Sequence, residues 1–176
     1  EEEKKICTWL TTHGVKYLYE QPYPSNTADL QYRQYKPDFT IYYTENGQSK
    51  YVFLEHFGID KYGDVPKWFG DGKKGGWNAA NSEYKSGISW KRQLHKDNNT
   101  VLLETTSAMF HDGTIYKHLL KQLNEVGVPI KELSSEEKFA LLFERDKAME
   151  DNVMNLFTSF ICLMKSSSKT FYSIME

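Results

Sequence analysis

Cysteine is almost missing: the 176 residues hold two, Cys7 and Cys162. Neither belongs to a CxxC pair or a Cys/His spacing, which excludes a zinc-ribbon type of site and a disulfide framework. Both lie in apolar helical patterns and read as small core residues of a reducing, cytoplasmic setting. There is no apolar run of ~18 residues and the N-terminus is charged, so neither a membrane span nor a signal peptide is expected. No GxxxxGK[ST] phosphate loop occurs, which argues against ATP hydrolysis by this chain. An excess of basic charge is also lacking. The net charge is -2, and any nucleic-acid affinity must come from a local patch. His13, His111 and His118 are scattered without metal spacing, and Ser107 near Glu104 is not a hydrolase elbow.

What the chain does have is aromatic residues, 12 Tyr and 10 Phe among 39% hydrophobic residues, enough for one core. They concentrate in Lys36 to Gly58, KPDFTIYYTENGQSKYVFLEHFG. Lys36 to Tyr43 and Lys50 to Phe57 are strand-like, and Asn46-Gly47 is a strong two-residue hairpin signal. With that turn, Tyr43 faces Lys50 and Asp38 faces Glu55, the two acids ~4.5–5.5 Å apart at Cβ. Like charges opposed across strands repel, and a divalent cation would relieve them. Val52, Phe53, Leu54, Phe57 and Ile59 make both faces apolar, as in a central strand.

Before the hairpin, Glu3 to Thr12 reads as a helix with Ile6, Cys7 and Leu10 on one stripe; Glu3 falls on the same stripe, as a site acid or an acid favoured by the helix dipole. Val15 to Tyr19 reads as a strand and Gln21 to Tyr35 as a loop. After it, Ile59 to Ser82 has five glycines between positions 63 and 76 and no period, a long functional loop or a plain insertion. Its Lys73, Lys74, Trp68 and Trp77 suit a phosphate backbone and base stacking. A helix from Ser82 to about Lys96 puts Tyr84, Ile88, Lys91 and His95 on one face, with Lys91 pointing to the sheet in need of an anion and Lys85, Arg92 and Lys96 outward. Thr100 to Thr105 is a fourth strand and Thr114 to Glu125 a helix. The rest reads as helical, with a Ser134–Glu137 capping box before Phe139, Leu142 and Phe143, and a further helix from Val153 to Met164.

This order, α-β-β-β-loop-α-β-α and then helices, predicts an α/β fold: a mixed four-stranded sheet with helices on both faces and a C-terminal helical extension. The Pro37-Asp38 pair followed by Glu55 resembles the PD-(D/E)XK nuclease superfamily, the restriction-endonuclease-like fold, over roughly residues 3 to 124. The longer string YKPDF…YVFLEHFGID…EY..GISWKR.LH…TVLLETTS resembles the nuclease-like module of superfamily 1, helicase IV-like DNA helicases. The resemblance implies a core over 1–126 and an extension over 127–176 leading back to the rest of a helicase polypeptide. It also implies Mg²⁺ or Mn²⁺ held by Glu3, Asp38 and Glu55, DNA as substrate, and phosphodiester hydrolysis. The chain departs from the motif at Phe57, where the family has its lysine. Lys91 on the neighbouring helix is the expected replacement, with Lys61 and His56 behind it, and Lys73, Lys74 and Arg92 are expected DNA contacts. Without such a cation the module would be a degenerate DNA-binding or scaffolding relic, and a surface with no basic patch near Lys73, Lys74, Lys91 and Arg92 would point to a protein-interaction domain.

Overall fold

The turn at Asn46-Gly47 sets the sheet. Both residues have positive φ, 50° and 77°, as a two-residue turn matched to strand twist requires. It joins β2 (Phe39–Glu45) to β3 (Gln48–Phe57) in the expected register, Tyr43 against Lys50 and Phe39 against Leu54. β1 (Lys16–Tyr19) pairs antiparallel with β2, and β4 (Leu102–Thr106) pairs parallel with β3. The result is a mixed four-stranded sheet in the order β1-β2-β3-β4. The computed structural model describes residues 1–28 and 33–140. The chain divides into two units, Glu1–Glu132 and Leu133–Glu176.

In the first unit each sheet face has its own helical cover. On one face Phe39, Ile41, Val52, Leu54 and Leu103 pack with Ile6 and Leu10 of α1 (Glu2–Thr12) and, from the helix after β4, Leu119 and Leu123. Side chains alternate along a strand, so Phe53, Glu55 and Phe57 turn to the opposite face. There Phe53 packs with Tyr23, Tyr35, Leu94 and Leu102 under α2 (Gly76–Asp97). A parallel β3–β4 pair needs such a crossover, and α2 provides it. α3 (Ser107–His111), which the sequence pattern does not announce, and α4 (Ile115–Glu125) complete the unit. Val128 closes the first core cluster beyond α4.

α2 begins at Gly76, earlier than the expected Ser82, so residues 76–82 belong to a helix and not to the long loop. Gly75 and Gly76 offer no side-chain cap and are poor helix formers, which hides the start from a local reading. Tertiary bonds supply it: Trp77 Nε1 donates to Val65 O (2.9 Å) and Asn81 Oδ1 accepts from Val65 N (3.0 Å). A short 3-10 turn, Lys67–Gly70, occupies the middle of the remaining loop.

In the second unit Ser134 Oγ accepts from Glu137 N (3.2 Å) and Glu137 Oε2 from Ser134 N (2.8 Å), the expected capping box, with helix over 135–140. The readings made for Leu142, Phe143, Cys162 and the helix from Val153 fall outside the described residues. Among the described residues no helix is long and apolar enough to cross a membrane.

Candidate active site

Pro37 cannot donate to a sheet ladder, and β2 begins only after it. The amide of His56, on the next strand, is satisfied instead by the Asp38 side chain, with Oδ2 at 2.7 Å from His56 N. This holds the Asp38 carboxylate just before β2, one position past the last β2–β3 rung (Phe39 against Leu54) and by strand alternation on the α2 face, where the Glu55 charge acts on it. The parallel register then places Glu104 of β4 against Glu55 on its other side. Asp38, Glu55 and Glu104 thus form a row of acids across three strands. Glu104 is the member that sequence reasoning missed. Its signal, an acid inside the apolar string TVLLET, is legible only once a parallel β3–β4 register is known.

α2 answers two of the three acids. Lys91 Nζ lies 2.5 Å from Glu55 Oε2, and Arg92 grips Glu104 with both ends of its guanidinium, 2.7 Å from Nε to Oε1 and 2.6 Å from Nη2 to Oε2. The Lys91 ammonium also lies 5.5 Å from the Tyr35 ring centroid and 5.6 Å from that of Phe57. Phe57, the residue at the motif's lysine position, therefore forms part of the wall beside the lysine that reaches Glu55. Lys91 is the sequence-proposed cation that the structure brings to Glu55. Lys61 is exposed, over the Tyr62 ring. His56 points to the other face, where its Nε2 meets Glu2 Oε2 (2.9 Å) and its Nδ1 meets Thr105 Oγ1 (3.0 Å).

Glu55 is 1% exposed, and a buried carboxylate needs both oxygens satisfied. Lys91 takes one and the Tyr35 hydroxyl donates to the other at 2.6 Å. Tyr35 Oη lies 3.2 Å from His95 Nε2, whose Nδ1 is 2.8 Å from Thr100 Oγ1, itself 2.8 Å from Tyr23 Oη. Burial and the neighbouring Lys91 charge push His95 down to a pKa of about 4, so this chain of polar groups is uncharged near neutral pH. Burial and then the Glu55 charge raise the Tyr35 phenol. None of these supports was visible as a motif.

Asp38 has no such partner among the cations. Burial first, then the negative charge of Glu55 and, more weakly, of Glu3, raise its pKa to about 7 against the opposing pull of the His56 amide and Lys91. Glu3 on α1 is thus close enough to be felt, although its Oε2 accepts from Tyr19 Oη at 2.5 Å. Two residues along the Asp38 face, Thr40 Oγ1 is buried without a partner. Hard oxygen donors are what Mg²⁺ or Mn²⁺ takes; Glu55 is paired with Lys91 and Tyr35 and Glu3 accepts from Tyr19, so of the three expected ligands Asp38 is the one whose charge no cation offsets. Among the described residues no three acids, histidines or cysteines stand as a ready-made cluster. The fit of a metal therefore rests on the counter-charge that Asp38 lacks.

The expected DNA-contacting cations are partly engaged. Arg92 is held by Glu104, and Lys73 lies 3.6 Å from Glu83, while Lys74 is exposed beside it. Trp77 is tied to the loop and covered by Lys67 Nζ, 3.1 Å from its ring centroid, whereas Trp68 is 66% exposed. A groove of about 310 Å³ lined by Lys16, Tyr43 and Lys50 lies at the turn end of the hairpin, away from the acids. No family model, curated protein or solved structure matches the chain.

Proposed function

We propose that this chain is a metal-dependent DNA nuclease domain of the PD-(D/E)XK, restriction-endonuclease-like kind, part of a helicase IV-like DNA helicase. The observation that carries the reading is Lys91. It comes from a different element than the motif lysine and still lies against Glu55, beside the charge-stressed Asp38. Asp38 and Glu55, with Glu3, would hold Mg²⁺ or Mn²⁺, which when bound lowers the pKa of a water and screens the phosphate. Tyr35 and Lys91 hold the Glu55 carboxylate in one orientation, and the neutral His95 supports Tyr35. Lys91, 28% exposed at its side chain, keeps a donor available toward solvent with which to orient a water or a phosphate oxygen.

One observation favours a second reading, a catalytically degenerate DNA-binding module. Both Glu55 oxygens are engaged and the residue is buried, so Lys91 stands as a substitute for the cation and not its helper. Cleavage of labelled single-stranded, duplex and forked DNA with Mg²⁺, Mn²⁺ or EDTA, beside Asp38→Ala, separates the two. The nuclease reading expects cutting that needs both metal and Asp38. Salt-sensitive binding without cutting supports the degenerate module, and neither cutting nor binding overturns both.

A further inference from the structure

Trp68 is a large apolar surface held toward solvent by a rigid mount. Its 3-10 turn follows Val65, which is buried and bound through both backbone groups by Asn81 and Trp77 of α2. At the other end of the turn, a Cβ on Gly70 would fall 2.3 Å from the Trp77 backbone nitrogen, so this contact admits only glycine. The Trp68 ring lies 4.5 Å from that of Phe69, centroid to centroid, and Phe69 meets Tyr84 edge-on at 5.7 Å. Tyr84 Oη accepts from Gly58 N at 2.9 Å, just past the end of β3. Burial raises the Tyr84 phenol, and the charges of Lys91, Asp38 and Glu55 all act on it. Tyr84 and Lys91 are seven positions apart on α2, about 10 Å along its axis and on one face. An aromatic row therefore runs from the acids to an exposed indole, with the exposed Lys67 next to it in sequence and Lys61 and Lys74 exposed elsewhere in the same loop.

An indole held this way offers a flat face to another flat ring, and a nucleic-acid base presents its face only when it is unpaired. We propose that Trp68 is a stacking platform for an unpaired base and that the strand delivered to the Asp38–Glu55 site is single-stranded DNA. The inference rests on the nuclease reading for the site and adds the substrate class. Lys67 adjoins Trp68 in sequence and suits the backbone of such a strand, and two of the acids that would repel it are answered, Asp64 by Lys85 and Glu55 by Lys91, while Asp38 is left to the metal of the nuclease reading.

The test is equilibrium binding of the full chain, in EDTA, to a fluorescent oligothymidylate of about a dozen nucleotides and to a duplex of equal length. The single strand is expected to bind more tightly, and Trp68→Ala to weaken it by about tenfold with the duplex unchanged. Trp68→Phe should restore most of the loss, and an unchanged unfolding midpoint is expected for both variants because the indole is exposed. Equal binding of the two DNA forms, or single-strand binding that ignores Trp68→Ala, would overturn the platform. Metal-dependent cutting alongside that second result would leave the nuclease reading standing by itself. A Trp68-dependent single-strand preference in a protein that never cuts would do the reverse.

Discussion

Asp38→Asn removes the charge that faces Glu55 and Glu3 while keeping an oxygen for the His56 amide. Asp38 titrates at about 7 in the folded protein against 3.8 for an ordinary aspartate. At ~1.4 kcal/mol per pH unit, its ionised form carries a cost of at most about 4 kcal/mol. Relaxation of neighbouring groups and water halves such figures in practice, to about 2 kcal/mol. Between those two pKa values the folded chain holds a proton that the unfolded chain has released, so Asp38 makes stability fall as pH rises, with the full cost above about pH 7. His95 acts in the opposite sense. It is held at about 4 against 6.5, so the unfolded chain binds a proton that the folded one refuses, and this contribution to stability rises with pH across that window. The two slopes offset each other in the unaltered protein. Urea unfolding in EDTA should then show Asp38→Asn equal to the parent near pH 4 and about 2 kcal/mol more stable near pH 8, with the His95 slope uncovered. A gain of the same size at both ends, or none at either, would refute the charge argument for the site.

Lys91→Met strands the Glu55 carboxylate and should cost about 3 kcal/mol at neutral pH; adding Glu55→Gln should return most of it in the same unfolding assay, and a loss unaltered by the second change would contradict the pairing. Arg92→Ala removes a more exposed pair and should cost less than about 1 kcal/mol, shrinking further with added salt. Thr40→Val replaces a buried hydroxyl that has no partner and should stabilise the metal-free protein by about 1 kcal/mol. A destabilisation of that size, read by thermal or urea unfolding, would mean that the hydroxyl is satisfied in solution.

The hairpin register was legible because Asn-Gly sets the turn and the turn sets the cross-strand pairs as far as Phe39 against Leu54, one position short of Asp38 and Glu55. Lys91 was legible as an inward lysine because its spacing from Ile88 and His95 is helical. Glu104, by contrast, joins the acids only through a parallel pairing that no local pattern encodes. The Tyr35–His95–Thr100–Tyr23 chain is assembled from a loop, a helix and a turn far apart in sequence. Arg92 read as outward, which its exposure bears out, yet it closes on Glu104 because a long side chain can reach past the helix edge.

By itself, the sequence determined the order of the strands and longer helices, the antiparallel register and the nearness of two acids, since these depend on turn chemistry and on the twofold and 3.6-residue periods of strand and helix. Tertiary structure alone decided which acids keep their charge. That depends on burial and on which cation from α2 reaches which strand, quantities that exist only after the crossover has laid the helix on the sheet. The same packing decided that Trp77 is turned in and Trp68 out, because Trp77 is tied to the Val65 carbonyl 12 residues before it, whereas the Trp68 ring meets that of its neighbour Phe69.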